Sequence, residues 1–166
     1  MKDAYYSIPI KEEDRKYFKF YFDNKPYEFC ALPQGYRESP RLFTKILKPP
    51  LAVLRSYGFI NSAYLDDIFM QANTFEDCEK NVLETITLLD KLGFTINVEK
   101  SIITPCKQLE FLGFIIDSER LIVYPTIKKS NKIKTLCSDV SKLTTITIRQ
   151  LAELIGNLVA ISAGNL

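Results

Sequence analysis

Phe59-Ile60-Asn61-Ser62-Ala63-Tyr64-Leu65-Asp66-Asp67-Ile68-Phe69-Met70 sets two adjacent carboxylates between apolar runs of strand-like composition. Carboxylates flanked in this way are costly to hold near a core unless a cation sits with them. In a straight strand Asp66 and Asp67 would project to opposite faces, because successive side chains alternate. Both can serve one site only where the backbone reverses, so the stretch predicts a β-hairpin with the acids at its bend. A hard divalent ion such as magnesium suits carboxylate oxygens, and it commonly acts on phosphates held in the same site. Asp-Asp is common in ordinary solvated turns, and Tyr64-Leu65-Asp66-Asp67 taken alone favours that plainer reading.

The chain has 166 residues, 46% hydrophobic and 25% charged, which suits one domain with a core of its own or parts of two small ones. No apolar run is long enough for a membrane span and no signal-peptide pattern opens the chain, so a soluble, intracellular protein without a membrane partner is expected. The four cysteines, Cys30, Cys78, Cys106 and Cys137, are widely spaced with no Cys-x-x-Cys pair. They predict reduced, mostly buried thiols rather than a zinc site or a disulfide framework. There is no histidine, which removes histidine triads, histidine bases and histidine metal ligands together. Any chemistry must run on carboxylates and lysines. The net charge of +2 proves no nucleic-acid partner, although Lys128, Lys129, Lys132 and Lys134 form a dense basic group.

Working outward from the acids, Ala4 to Ile10 reads as a strand that begins abruptly, as if a longer element had been cut. The alternation of Phe18, Phe20 and Phe22 predicts a second strand, Asp23 to Pro26 a turn, and Tyr27 to Ala31 the return. Leu32-Pro33-Gln34-Gly35-Tyr36 reads as a loop. Ser39 as cap and Pro40 at the first helical position start a helix with Leu42, Phe43, Ile46 and Leu47 facing inward. Pro49-Pro50 should kink or interrupt it before Leu51, Val53, Leu54 and Tyr57, and Gly58 should end it. Beyond the hairpin, Thr74 caps a helix with Cys78, Val82, Ile86 and Leu89 on one stripe and Gly93 past its end. Phe94 to Val98 reads as a strand. Leu109 to Ile116 and Leu121 to Tyr124 read as two more, joined by the polar turn Asp117 to Arg120. A basic helix near Ile127 to Val140 and a second from Ile148, with Thr147 and Gln150 as a capping box, complete an α+β order with a subdomain boundary near Pro125.

Several stretches, in this order, resemble the reverse transcriptases of retroviruses and retrotransposons. Tyr64-Leu65-Asp66-Asp67 is similar to the family's catalytic hairpin, Leu32-Pro33-Gln34-Gly35 with Ser39-Pro40 to its nucleotide-side loop and helix, and Phe111-Leu112-Gly113-Phe114 to its primer-grip hairpin. Lys2-Asp3-Ala4-Tyr5 resembles the strand of the first catalytic aspartate, and Leu92-Gly93 with Asn97 and Lys100-Ser101 the segment bearing a lysine near the pyrophosphate. The helix Ile148 to Leu158 resembles a thumb helix. The resemblance implies a right-hand polymerase: an antiparallel-sheet palm within residues 1–122, a fingers hairpin at about 9–37 inside it, and the start of a helical thumb over 123–166. It implies addition of deoxynucleotides to a primer on an RNA or DNA template by two-metal catalysis with magnesium or manganese.

The same resemblance implies the roles of single residues, each beside a plainer reading. Asp66 and Asp67 would be metal ligands and catalytic. Lys100 would protonate the pyrophosphate, or be an ordinary surface lysine. Tyr5 would exclude a ribose 2′-hydroxyl, or be a core tyrosine. The amides of Asp3 and Ala4 would face the triphosphate and Gln34 the incoming deoxynucleoside triphosphate, unless Pro-Gln-Gly is merely a tight turn. Tyr64, Leu112 and Gly113 would meet the primer, although a hairpin glycine often marks only a bulge. Lys128 to Lys134 would meet phosphates, or form a solvated helix face.

One departure stands out. The family carries its first metal-binding aspartate three residues before the aspartate that precedes Ala-Tyr, a position immediately ahead of Met1. Asp3 would be a poor replacement, because three residues along a strand move a side chain by roughly 10 Å and turn it to the other face. A fragment inactive by itself is therefore expected, with the N-terminal fingers and a C-terminal ribonuclease H domain lying in a longer parent. The alternative is a non-catalytic nucleic-acid-binding remnant. A plain α+β domain with an acidic turn would explain none of the other motif positions.

Overall fold

Helix α1, Ser39–Ser56, supplies four of the six residues in the main core cluster: Phe43, Leu47, Leu51 and Leu54, joined by Leu89 and Phe94. Their three- and four-residue spacing puts them on one stripe, while Ile46, Val53 and Tyr57, which were expected on it, are exposed because they fall to either side of that narrower line. The helix runs unbroken through Pro49 and Pro50, where an interruption was expected. Each proline frees one carbonyl, of Lys45 and of Ile46, and both residues lie on the exposed side where water can satisfy them. Burial of Leu47 and Leu51 on the opposite side holds the helix straight enough to continue. Ser39 is not the cap: Glu38 holds that position, and the buried Ser39 hydroxyl instead donates to Pro33 O at 2.9 Å.

The structure is a computed structural model that describes residues 1–162 and separates into two units, Met1–Pro105 and Cys106–Leu166. In the first, strands β1 (Lys19–Phe22) and β2 (Lys25–Glu28) form the expected hairpin around Asp23 and Asn24, whose φ values are 49° and 56°. Two positive φ values match the right-handed strand twist, and both residue types tolerate them. Pro26 lies in the strand rather than the turn. Strands β3 (Ile60–Tyr64) and β4 (Asp67–Gln71) pair from Tyr64 opposite Asp67 to Ile60 opposite Gln71. The two-residue loop Leu65-Asp66 closes them, so the acids do stand at a hairpin bend.

Helix α2, Phe75–Lys91, starts at Thr74, whose hydroxyl accepts the Asp77 amide at 3.1 Å. Its buried face holds Val82 and Leu89 with two polar residues, Asn81 and Thr85. The Asn81 side chain donates to Ile60 O at 2.9 Å and Gln71 O at 3.3 Å, and its oxygen accepts from Thr85. It thereby fastens the open end of the β3–β4 hairpin to the helix.

Two expected strands in this unit are absent. Ala4–Ser7 is a 3-10 turn entered by Asp3 at φ 49°, with Tyr6 N–H donating to Asp3 O, and only Pro9 bridges to Ala31 in strand fashion. A proline without an N–H cannot extend that pairing. Phe94 to Val98 is irregular and leads into a 3-10 turn at Val98–Lys100, because the Asn97 side chain accepts the Lys100 amide. A third turn of this type, Glu12–Phe18, occupies the polar stretch before β1.

In the second unit the apolar run Leu109 to Ile116, read above as one strand, is two. β5 (Gln108–Phe111) reverses at Leu112-Gly113 into β6 (Phe114–Asp117), which pairs with β7 (Ile122–Pro125). Helix α3, Ile127–Ser141, is capped by Thr126, and α4, Ile148–Ser162, by the expected Thr147–Gln150 box. The two helices pack on each other. The division at Pro105 and Cys106 precedes the expected boundary near Pro125. Strand β7 runs across residues 122 and 123 and passes straight into the cap of α3, so no linker exists there. Among the described residues no helix is long and apolar enough to cross a membrane. Where mostly buried thiols were expected, Cys30 and Cys106 are exposed on loops and Cys78 and Cys137 are half-buried on α2 and α3.

Candidate functional site

The acidic bend is a strained turn. Leu65 adopts φ 54° in the first loop position, a left-handed conformation that costs a leucine about 1–2 kcal/mol. Asp66 follows it and Asp67 opens β4 opposite Tyr64; all three of these polar residues are exposed. The Met1 ammonium donates to Asp66 O at 2.8 Å, and Lys2 N–H donates to Thr95 O at 2.8 Å. The first two residues therefore lie between the acidic turn and the segment leading to Lys100, which is exposed in its 3-10 turn.

Tyr5 is half-buried, its ring meeting Phe43 edge-on at 5.7 Å between centroids, and it packs on the core with Met1, Ala4 and Ile8. Asp3 is exposed. The loop bearing the exposed Gln34 is held at two points: Leu32 N–H donates to Ile8 O at 3.0 Å, and the Ser39 hydroxyl grips Pro33. Chain segments far apart in sequence are thus tied together inside one unit: residues 1–10, the Gln34 loop, the start of α1, the acidic hairpin and Thr95.

Whether this unit can hold a divalent ion depends on its donors. Among the described residues no three Asp, Glu, Cys or His side chains gather as a metal cluster. Magnesium in phosphate sites usually takes only one or two protein carboxylates, with waters and phosphate oxygens filling the rest. The exposed pair Asp66 and Asp67 fits that share.

In the second unit, Leu112 and Gly113 turn at φ 52° and 77°. This turn is buttressed from α3. Thr126 N–H donates to Gly113 O at 3.1 Å, and the Lys129 ammonium lies 3.5 Å from the centroid of the Phe114 ring. A Cβ at Gly113 would sit 3.4 Å from Lys129 Cδ. Burial holds the Lys129 ammonium below the usual lysine range. The basic group therefore divides: Lys128, Lys132 and Lys134 are exposed, while Lys129 is spent on the hairpin.

The residues missed by sequence reasoning are structural. Asn81 and Thr85 sit four residues apart on the core stripe of α2, and polar residues in that position were the available signal. Asp117 is buried and organises the β6–β7 turn, accepting the Glu119 and Arg120 amides at 3.0 and 2.9 Å and the Gln108 amide group at 2.7 Å. The Arg120 amide first, then Gln108 and Glu119, hold its carboxyl below the usual range against the opposing effect of burial.

Residues 1–116 match the family described as reverse transcriptase (RNA-dependent DNA polymerase). The chain is 28% identical over 107 residues to the Gag-Pol polyprotein of gibbon ape leukemia virus, covering 60% of this chain and 6% of the relative. It is 30% identical over 108 residues to that of avian leukosis virus subgroup A, covering 58% and 7%. The chain thus spans a small part of the curated relatives it matches. Its fold is similar to a foamy viral protease-reverse transcriptase solved with double-stranded DNA, at a TM-score of 0.75 and 24% identity over 95% of this chain and 25% of that one. A second foamy viral structure, with an RNA/DNA hybrid, matches at 0.72 and 23%, over 95% of this chain and 20% of that one. Both likenesses bear on the mixed helix and antiparallel-sheet fold. With residues 1–116 matched, a span that includes the Tyr64-Leu65-Asp66-Asp67 hairpin, the chain belongs to the reverse transcriptase (RNA-dependent DNA polymerase) family.

Proposed function

We propose that this chain forms the acidic-hairpin core of an RNA-directed DNA polymerase, which adds deoxynucleotides to a primer 3′-hydroxyl on an RNA or DNA template. The observation that carries the reading is the Leu65-Asp66 turn, inside the family-matched span, with both carboxylates exposed beside the first residues of the chain. The duplexes in the foamy viral structures support nucleic acid as the partner. Asp66 and Asp67 would hold magnesium or manganese. Bound there, such ions acidify a hydroxyl and stabilise charge on a phosphate in transfer.

The remaining roles belong to this chain's own groups. Tyr5, braced by Phe43, would close the sugar pocket by bulk, so a ribose 2′-hydroxyl would overlap the ring. Gln34 and the amides of Asp3 and Ala4 would position the incoming nucleotide. Lys100 would supply a proton to the leaving pyrophosphate. Tyr64, Leu112 and Gly113 would contact the primer. Because the Met1 nitrogen lies against Asp66 O, a residue joined ahead of it would enter beside the carboxylates, where a further aspartate would serve the same ions.

Two measurements test this. Manganese should broaden the amide resonances around Asp66, and Asp66→Asn with Asp67→Asn should abolish the effect; unchanged broadening would remove the metal assignment. Primer extension with magnesium should appear when an aspartate-bearing segment precedes Met1 and vanish in that protein with Asp67→Asn. Persistent extension by the asparagine variant would overturn the catalytic reading. A non-catalytic nucleic-acid binder is the second reading, which the duplexes in the foamy viral structures support equally. It predicts metal-independent duplex binding without extension in either form.

A further inference from the structure

The β1–β2 hairpin has no second layer: every residue of both strands is exposed. Its register puts Phe20 opposite Tyr27 and Phe22 opposite Lys25 on one face. The rings on that face touch in series, Phe29 to Phe20 at 4.8 Å, Phe20 to Tyr27 at 5.7 Å and 22° between planes, Tyr27 to Phe22 at 6.5 Å. Exposure rises toward the tip, from 39% at Phe20 through 45% at Tyr27 to 69% at Phe22. Cross-strand pairing accounts for the contacts between rings, since it stabilises a hairpin that would be marginal alone. It does not account for the outward surface they share.

Charge narrows the occupant. The ring face carries Lys25 and no carboxylate, while Glu28 stands on the other face opposite Lys19. From Arg15 to Glu28 there are four basic and two acidic residues. Pro26 withholds a backbone donor from β2, which blunts this edge against strand addition by a second copy. The base of the series also leads to the nucleotide-side loop, because Phe18 packs on Tyr36 at 5.0 Å, two residues beyond Gln34. In a templated reaction the strand beyond the pairing base is single-stranded and must pass close to that loop. The hairpin Lys19–Glu28 is neutral as a whole, so the bias lies in its ring face, where Lys25 stands without a strand carboxylate; ring faces spaced along such a face suit unpaired bases of any sequence.

We propose that the series Phe29, Phe20, Tyr27 and Phe22 is a stacking surface for single-stranded nucleic acid, the unpaired template of the reaction proposed above, on which the choice of strand rests. The test is fluorescence anisotropy of a labelled oligo-dT and a labelled oligo-U with the full chain, without metal. Phe22→Leu and Tyr27→Leu keep an apolar side chain but remove the ring, and each should weaken single-strand binding by roughly 10-fold. Tyr27→Phe should bind as the unaltered chain does, which shows that the hairpin has survived the change. Tyr21→Leu, on the opposite face, should have no effect, and blunt duplex binding should not move in any variant. Single-strand affinity unchanged by Phe22→Leu and Tyr27→Leu would overturn the proposal. So would a dimer in sedimentation that Phe22→Leu dissolves while oligonucleotide binding stays the same, which would give the face to a second copy. In the protein with an aspartate-bearing segment ahead of Met1, loss of extension on Asp66→Asn with oligonucleotide binding intact would overturn nothing here and concern the polymerase chemistry alone.

Discussion

Leu65-Asp66 and Leu112-Gly113 are both two-residue hairpin turns that open with a leucine near φ 50°, yet the two are held in opposite ways. The first projects exposed carboxylates and is braced at its tip by one backbone contact, from Met1, while its main anchorage is the distant Asn81. The second is gripped at the turn itself by Thr126 and Lys129. The turn proposed above to hold ions leaves its tip open, and much of its fixing is displaced to the root. A turn that only supports can be clamped where it bends.

Asn81→Ala should break this contrast hardest. It leaves Ile60 O and Gln71 O without their shared donor and should cost about 3 kcal/mol, read as a lower urea midpoint with faster amide exchange along β3 and β4. Strands β5 to β7 should exchange as before. At the second turn, Gly113→Val should cost about 2 kcal/mol, since a branched residue opposes φ 77° and its Cβ crowds Lys129. Asparagine tolerates the left-handed region, so Leu65→Asn and Leu112→Asn should each gain about 0.5–1 kcal/mol; a gain at Leu112 alone would show that Leu65's partial burial offsets its strain.

Acid should separate the second unit's turn from the rest through Asp117. Its folded carboxyl titrates below the ordinary value of 3.8, so its contribution is complete above that pH and is lost as pH falls through the folded value. Amide exchange at Glu119 and Arg120 should rise over that acid range, and Asp117→Asn should remove the pH dependence. Lys129→Met should have the smallest effect, about 0.5 kcal/mol, because the lost cation–π contact is partly offset by relief of a desolvated ammonium. Lys129's burial penalty should also fade as pH rises through its lowered folded pKa toward 10.5, so the gap between the two proteins should widen at alkaline pH.

Where local pattern and backbone chemistry agreed, the sequence was legible. Thr74 and Thr147 cap as their spacing implies, and the adjacent acids demanded the bend at which they lie. Composition alone hid the Leu112-Gly113 turn, because Leu109 to Ile116 is apolar apart from Glu110 and Gly113 and reads as one strand with a bulge; only the resemblance of Phe111-Leu112-Gly113-Phe114 pointed to a hairpin there. Ala4–Ser7 and Phe94–Val98 have strand composition, but pairing ladders decide strands, and Phe94–Val98 receives only a single cross-chain bond of that kind, from Lys2 N–H to Thr95 O. Ser39 looks like a cap in sequence, and only the fold reveals that Pro33 takes its hydroxyl. The ties that draw residues 1–10, the Gln34 loop and the acidic turn together are backbone hydrogen bonds, which no side-chain pattern announces.

The Asn81 tie makes the acidic hairpin a cantilever. Four residue steps separate its clamped root at Ile60 from Tyr64, a reach of roughly 13 Å, so a tilt of about 5° at the root would swing the carboxylates by about 1 Å. A displacement of that size is enough to cost a positioned reaction about 100-fold. The Asn81 amide on one neighbouring helix, with Arg55 of α1 donating to Asn61 O at 3.2 Å, therefore contributes to the aiming accuracy of carboxylates at the far end of the arm, alongside the Met1 contact at the tip.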